Sequence, residues 1–199
     1  MISSGYTVTK KKKTDYTQML VPIAIILILG SIFIALFFLA PIQFLLYKPS
    51  GEWFFEPPKN AYYAFIGGIL LVAAMLIGTA FVIYKDKMTK GMKGFITVGY
   101  LLSVLIFVLS LNQYHYANQS GIVINRFLSF EDEKYKWADI TYAEEQAIVK
   151  NGMMSSGTLT LTFSNDKSYT FLLNENVRKA KIAMYYELEK QGIEVKRTQ

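Results

Sequence analysis

Three long stretches of the sequence contain no charged residue, and they cover residues 16–47, 60–84 and 94–125. A helix needs roughly 20 apolar residues to cross the hydrocarbon core of a bilayer, so each stretch is long enough for one span. An amphipathic helix of a soluble protein would show a polar face at every turn, and none of these stretches does. The pattern therefore predicts three transmembrane helices, at about 19–40, 61–84 and 95–112.

The first predicted span follows a short polar arm, residues 1–18, which carries four consecutive lysines at 10–13. A basic segment before an apolar run is also the order found in signal peptides. The apolar run is much longer than the roughly 7–15 residues of a signal-peptide core, and Pro41 directly follows the small residue Ala40. We therefore expect an uncleaved anchor that ends at Pro41.

The connection between the first two spans, residues 41–60, combines aromatic rings with lysines and glutamates. Amphipathic aromatic residues settle in the headgroup zone of bilayers. We therefore interpret Trp53, Phe54 and Phe55 as an interfacial anchor. A contact site for a lipid or a protein partner is the alternative.

After Asn112 the pattern changes to that of a small mixed α/β domain, which we place at residues 117–199. Residues 158–163 alternate between threonine and apolar side chains, which is typical of a strand with one buried face. A turn at Asn165-Asp166 leads to a partner strand at 167–173. Further strands are expected at 121–130, 134–140 and 141–150.

The last element is a predicted helix that ends near Gly192 and begins after Asn174 or Asn176, either of which suits an N-cap. Within it, four apolar side chains repeat at helical spacing, and these are Val177, Ala180, Met184 and Leu188. The repeat predicts a stripe that packs on the sheet. The fold class is therefore a membrane α-helical region of three transmembrane helices plus a C-terminal α+β domain.

Residues 135–140 read Tyr-Lys-Trp-Ala-Asp-Ile, and a threonine-leucine hairpin and one helix follow them. This run and this order of elements resemble the bacterial pleckstrin-homology-like (PH-like) domains found on small membrane proteins. The resemblance is confined to the C-terminal domain. It implies an antiparallel sheet or barrel capped by one C-terminal helix, with Trp137 packed inward and Ile140 structural. It also implies binding or scaffolding instead of catalysis.

The net charge of +6 belongs to the predicted membrane region. Residues 1–116 carry ten lysines and four acidic residues, whereas residues 117–199 carry eleven basic and eleven acidic residues. Nucleic-acid binding would need a basic patch on the folded domain, so we expect no nucleic-acid partner. The chain contains no cysteine, which excludes disulfides, thiolate metal sites and cysteine nucleophiles.

No residue type or spacing in the sequence indicates a catalytic, cofactor or metal site. His115 is the only histidine, and we expect its ring to lie at the water interface between two tyrosines. The carboxylates at 131–133 and 144–145 are expected to be solvated on turns between strands. We therefore predict no enzyme activity, no cofactor and no metal.

The predicted spans contain no ionisable residue, although transport and proton pathways normally place such residues in the membrane. Their polar residues can bond to the backbone of their own helix, and these are Ser31, Thr79, Thr97, Ser103 and Ser110. Two pairs of small residues would allow close helix packing, within the chain or between copies. The pairs are Ser31/Ala35 and Ala74/Gly78.

Lysines near the spans indicate the orientation, because Lys and Arg close to membrane helices stay cytoplasmic. The N-terminal arm has four lysines, and the loop at 85–93 has another four. The loop at 41–60 has two lysines and two glutamates. We therefore expect a cytoplasmic N-terminus and a C-terminal domain outside the cytoplasm.

Two function classes fit these observations. The first is a non-enzymatic, membrane-anchored binding or scaffold protein that uses the PH-like domain to hold a protein partner or the membrane surface. The second is a subunit of a small-solute transporter or channel, with a homo-oligomer formed through the small-residue helix faces. The bilayer itself is a partner in both, and the identity of a protein partner is open.

Overall fold

The fold is described from a computed structural model, which covers residues 17–85, 89–129, 131–150 and 153–198. Most of the predicted N-terminal arm, residues 1–16, lies outside the described residues, as does part of the lysine-rich loop, at 86–88. Within the described residues the chain forms three long helices, a fourth shorter helix and eight strands.

The three long helices are α1 (Thr17–Tyr47), α2 (Lys59–Tyr84) and α3 (Lys90–Leu111). Each is long and apolar enough to cross a bilayer, with mean hydropathies of 3.0, 2.6 and 2.3 over the most apolar part. The prediction of three such helices is confirmed. The prediction that the first one ends at Pro41 is wrong, because α1 continues to Tyr47.

The last turns of α1 are held against the end of α3, which explains why the helix continues past Pro41. Gln43 is fully buried, and its Nε2 amide lies within hydrogen-bonding distance of three backbone carbonyls at and just after the end of α3. These belong to Ser110 (3.0 Å), Leu111 (3.2 Å) and Gln113 (2.7 Å). The last carbonyls of a helix have no intrahelical donor. One side chain therefore caps α3 and offsets the backbone hydrogen bond that Pro41 cannot make.

α2 lies between α1 and α3, which make few contacts with each other beyond those of Gln43. Ala35 and Leu39 of α1 pack against a cluster on α2 that includes Phe65. On its other side α2 approaches α3 closely at Gly68, where a Cβ would lie 2.8 Å from the Phe107 ring. The helical unit is therefore a row of three helices with broad outer faces. Those faces carry exposed Ile, Leu, Val and Phe side chains, as lipid contact requires.

Polar groups on the three helices mostly bond as predicted. Hydroxyls donate to backbone carbonyls three or four residues earlier on the same helix at Ser31, Thr79, Thr97 and Ser103. Ser110 differs, because its hydroxyl donates to the Ala61 carbonyl of α2 at 2.7 Å. It therefore links α2 to α3.

The two pairs of small residues differ in exposure. Ser31 and Ala35 are buried inside the helical unit, whereas Ala74 is exposed. A Cβ added at Gly78 would meet no atom within 4 Å. Of the two pairs, the second is open to another chain, and its use in an oligomer stays a prediction.

The small domain contains two four-stranded sheets. The first sheet is antiparallel in the order β1-β2-β3-β4. Its strands are β1 (Glu52–Glu56), β2 (His115–Asn118), β3 (Gly121–Ile124) and β4 (Glu133–Tyr135). Residues 121–130 were predicted as one strand, but β3 ends at Ile124. There the chain turns away, and the Asn125 N–H donates to the Tyr114 carbonyl at 2.8 Å.

The second sheet has the order β7-β6-β5-β8, with only the β5–β8 pair parallel. Its strands are β5 (Ile140–Lys150), β6 (Met153–Phe163), β7 (Ser168–Leu172) and β8 (Val195–Thr198). The predicted hairpin, with its turn at 165–166, is confirmed as β6 and β7. The predicted strand at 134–140 is instead β4 followed by a 3-10 turn at Trp137–Asp139, because the Asp139 carboxylate accepts from the Lys136 N–H.

The helix α4 (Glu175–Lys190) closes the domain. All four residues of the predicted apolar stripe are buried, together with Trp137, in one core between α4 and the two sheets. The Asn174 side chain caps the helix by accepting from the Val177 N–H at 3.0 Å, and Gly192 follows the helix with a positive φ of 75°. Within the described residues the two sheets are not joined by a strand pair, so no closed barrel forms.

The first strand of the small domain comes from the connection between α1 and α2. Its last residue, Glu56, pairs directly with His115, the first residue of β2. The hairpin of α2 and α3 is therefore inserted between two neighbouring strands of one sheet. The interpretation of Trp53, Phe54 and Phe55 as an interfacial anchor is wrong for two of them. Phe54 lies in the domain core, and Trp53 stacks on Trp137 with 5.5 Å between ring centroids.

Candidate functional site

A hydrogen-bonded group of polar side chains, two of them buried, lies where the small domain meets the helices. It consists of Glu56, His115, Tyr169 and Asn174, and we call it the junction network. Glu56 is 8% exposed and His115 is 5% exposed. The Nε2 atom of His115 lies 3.1 Å from Glu56 Oε1, and its Nδ1 lies 3.1 Å from the Tyr169 hydroxyl. Asn174 Nδ2 donates to the second carboxylate oxygen of Glu56.

Each member of the junction network comes from a different element. Glu56 ends β1, just before the chain enters α2, and His115 begins β2, just after the chain leaves α3. Tyr169 lies on β7 in the second sheet, and Asn174 is the N-cap of α4. The network therefore connects the two points where the chain passes between the helices and the domain. It also connects these points to both sheets and to α4.

Tyr169 is a protonated member of the junction network. Burial raises the pKa of Tyr169 to about 12, with Arg126 lowering it and Glu56 raising it further. Tyr169 therefore keeps its proton at neutral pH and can donate it to His115 Nδ1. In the tautomer that accepts this bond, the ring proton lies on Nε2, which donates it to the Glu56 carboxylate.

A cleft of about 470 Å³ opens beside the junction network. Lys59 and Asn60 at the start of α2 form one wall, and Thr170 and Asn176 of the small domain form the other. Its size falls within the range of small-molecule pockets. A small polar molecule from solution could therefore enter the space between the helices and the domain through this cleft.

The histidine nitrogens and carboxylate oxygens of the junction network bond to one another and to neighbouring side chains of the protein. Both ring nitrogens of His115 and both carboxylate oxygens of Glu56 have partners within the protein. A group in the cleft would reach His115 only by displacing one of them. Among the residues that the structure describes, no three His, Cys, Asp or Glu side chains are grouped closely enough to hold a metal ion. The arrangement is thus suited to joining the domain to the helices.

Aromatic rings form a second contact between the helices and the domain. Tyr114 stacks on Tyr47 of α1 at 4.9 Å and on Phe55 of β1 at 5.6 Å between ring centroids. Phe55 also meets Phe44 of α1 edge-on at 6.2 Å. Each such pair adds about 0.5–1.5 kcal/mol beyond its area burial. Together with the junction network, the rings hold the domain in one position on the helices.

The structure changes the picture of the residues that the sequence singled out. His115 was expected at the water interface, but it is buried because β1 covers it from one side and β7 from the other. The carboxylates were expected to be solvated, but Asp132 accepts from Tyr114 and Asn125. Glu133 accepts from Arg126, Tyr135 and Lys167.

Two residues that matter at the junction were missed by the sequence reasoning. Gln43 was placed in a loop after Pro41, although it lies in an uncharged run and is a large polar side chain there. That isolation was a signal, since polar residues inside apolar helices usually bond to a neighbouring helix. Glu56 had no signal, because its partner His115 is 59 residues away and only the fold brings the two together.

Glu145 was expected to be solvated and instead joins β5 to α4. It accepts from Lys181 and from the Tyr185 hydroxyl, and Arg197 lies 3.4 Å away. Burial alone would raise the pKa of Glu145, but the hydrogen bonds from Lys181 and Tyr185 outweigh it and hold the pKa below its ordinary value. The carboxylate is therefore favoured in the folded state.

This lowered pKa predicts a specific pH dependence. A carboxyl group with a depressed pKa in the folded state stabilises the protein at neutral pH, and that stabilisation is lost as the pH falls through the folded pKa. Glu145→Gln should therefore lower the thermal midpoint at neutral pH, and the difference from the parent should shrink toward about pH 4. A difference that is constant over this range, measured by thermal unfolding in detergent, would contradict the assignment. Glu175→Gln is the control, because its pair with Lys179 is solvent-exposed.

A scan against protein-family models and a search of curated proteins both find no match for this chain. The functional argument therefore rests on the geometry of the chain itself.

Proposed function

We propose that this chain is a non-enzymatic, multi-pass protein of the cell membrane whose PH-like domain holds a protein partner beside a three-helix anchor. The observation that carries the proposal is the outer face of α4. Ile182 is 82% exposed and Tyr186 is 59% exposed, one helical turn apart. Large apolar side chains grouped on a soluble domain mark contact sites. The junction network and the aromatic contacts hold the domain in one position on the helices, which suits a domain that binds a partner beside the membrane.

Two features support the PH-like assignment. Seven strands, β1 to β7, precede a single helix that packs over the domain core. The expected inward side chain, Trp137, is buried and donates from Nε1 to the Asn118 carbonyl at 3.0 Å. β1, which comes from the connection between α1 and α2, brings the number of strands before this helix to seven.

The partner is tested by photocrosslinking in intact membranes. A photoreactive phenylalanine analogue at Ile182 or Tyr186 should give the same discrete protein adduct, because both side chains lie on one face. The matched control is Ser120, an exposed residue in the turn between β2 and β3. Absence of a protein adduct at both α4 positions, or the same adduct at Ser120, would reject the proposed surface.

The proposal places the C-terminal domain outside the cytoplasm, as the lysine distribution indicates. The chain has no cysteine, so a single reporter can be introduced without background. Ser120→Cys should react with a membrane-impermeant maleimide in intact cells. Reaction only after lysis would place the domain in the cytoplasm and would direct the search to internal partners. A cysteine at Thr89, at the other end of the helices, is the control with the opposite expectation.

A further inference from the structure

A short loop of the small domain returns to the end of α3, and we call it the 125–129 loop. β2 leaves α3 almost directly, and β3 runs back beside it, with Ile124 paired to His115. The loop is then tied to the helix end by two hydrogen bonds. The Asn125 N–H donates to the Tyr114 carbonyl at 2.8 Å, and Asn112 Nδ2 donates to the Ser129 carbonyl at 3.0 Å. The loop therefore lies at the level where α3 ends.

The tip of this loop is apolar and exposed. Phe127 is 46% exposed and Leu128 is 65% exposed. Leu128 also adopts a left-handed backbone conformation, with φ of 66°, which is unfavourable for a residue that carries a Cβ atom. Its side chain finds little burial within the protein to offset that conformation. An apolar environment outside the protein would supply the missing burial.

The loop is held in shape before any such contact forms. Asn125 is buried, and its Nδ2 donates to Asp132 Oδ1 at 3.1 Å. The Ser129 hydroxyl donates to the Glu131 carbonyl at 2.7 Å. Arg126 lies 3.2 Å from Glu133. The exposed apolar tip is therefore presented by a fixed frame, so binding requires little additional ordering.

The apolar tip continues an exposed apolar face of α3. Asn112, which holds the loop, follows Val108 by four residues and Leu105 by seven, so the three share one face of the helix. Val108 and Leu105 are both exposed large apolar side chains. A surface that faces lipid along α3 therefore extends past the end of the helix onto Phe127 and Leu128.

We propose that the 125–129 loop inserts Phe127 and Leu128 into the headgroup and upper acyl region of the bilayer beside α3. The occupant of this surface is the lipid bilayer, since the surface is continuous with the outer face of a membrane-spanning helix. The insertion gives the domain a contact with the bilayer separate from the chain connections through α2 and α3. It depends on the helices spanning a bilayer and not on the protein partner of α4.

The test uses the full chain in liposomes, with one cysteine at a time carrying an environment-sensitive fluorophore. Labels at Leu128→Cys and Phe127→Cys should emit at shorter wavelength than a label at Ser120→Cys. They should also be quenched by lipids that carry a nitroxide near the headgroup. Ser120 is the matched control because it lies at the opposite end of the same β2–β3 hairpin. A label at Leu105→Cys, about 9 Å before the end of α3, reports with lipids that carry the nitroxide on the acyl chain that the chain is inserted.

The outcomes separate lipid contact from protein contact. Quenching by the nitroxide lipids at position 127 or 128, together with quenching at 105, supports insertion of the loop. Quenching at 105 without quenching at either loop position overturns the proposal, and it does so even if the emission is blue-shifted by packing on protein. That result leaves the transmembrane assignment and the α4 surface untouched. Absence of quenching at 105 would overturn the proposal and the transmembrane assignment together.

Discussion

Residues 114–199 expressed alone are expected to fail to fold, whereas the same segment preceded by β1 is expected to fold. Without β1 the first sheet loses an edge strand, and the core loses Phe54, which is 4% exposed in the intact chain. Removal of one buried Phe side chain typically costs about 3–5 kcal/mol, which is comparable with the whole stability of a small domain. His115 would also lose Glu56, its buried partner.

Because Glu56 pairs directly with His115, β1 can be joined to β2 by a short turn to make the segment that is expected to fold. Residues 51–56 can be joined to 114–199 through a hairpin turn of about four residues, which replaces the α2–α3 insertion. Circular dichroism and amide exchange should show a cooperative fold for this hairpin-joined chain and not for residues 114–199. The control carries Phe54→Ala in the hairpin-joined chain and should be strongly destabilised. A stable fold of residues 114–199 alone would show that β1 is dispensable.

Glu56→Leu is expected to destabilise the domain by about 1–3 kcal/mol, because it leaves the buried His115 Nε2 without its partner. His115 Nε2 and Asn174 Nδ2 both donate to this carboxylate. The Asn174 side chain is exposed, so water can replace the carboxylate at its Nδ2, and the cost falls mainly on His115. The loss should appear in denaturant unfolding of the purified chain in detergent, followed by tryptophan fluorescence.

A double-mutant cycle shows whether Glu56 and His115 act as a unit. Replacing both polar partners by apolar groups removes the unsatisfied atoms, so Glu56→Leu combined with His115→Phe should cost less than the sum of the single changes. Glu52→Leu is the matched control at the other end of β1. Its partner Lys48 is 41% exposed, and ion pairs with an exposed partner contribute at most about 1 kcal/mol. Additive costs in the cycle would show that the pair is not coupled.

The helical region was predictable because its signal is local. Hydrocarbon-spanning helices require an uninterrupted apolar run, and the three runs are visible without knowledge of any contact. The same holds for the stripe on α4, where apolar residues recur with the 3.6-residue period of a helix. It also holds for the β6–β7 hairpin, where they alternate with the two-residue period of a strand. In these segments one buried face is enough to determine both the element and the side that packs.

The errors occurred where a distant contact overrides a local preference. Pro41 normally ends a helix, but Gln43 bonds to carbonyls about 70 residues further along the chain and keeps α1 helical to Tyr47. Trp53 and Phe54 have the composition of an interfacial loop, but β2 offers them a partner strand and a core. His115 sits between tyrosines in the sequence, but Glu56 and Tyr169 surround it in the fold.

The sequence by itself determined that this chain has three apolar helices and a neutral α+β domain, since both follow from hydrophobic runs, periodicity and charge. The tertiary structure alone decided that α2 and α3 are inserted into a β-hairpin of that domain. It also decided that hydrogen bonds among Glu56, His115 and Tyr169 join the two sheets beside the helices and that an apolar loop returns to the end of α3. The reason is physical. Strand pairing and buried polar contacts depend on which residues meet in space, and no local pattern records a partner that is tens of residues away.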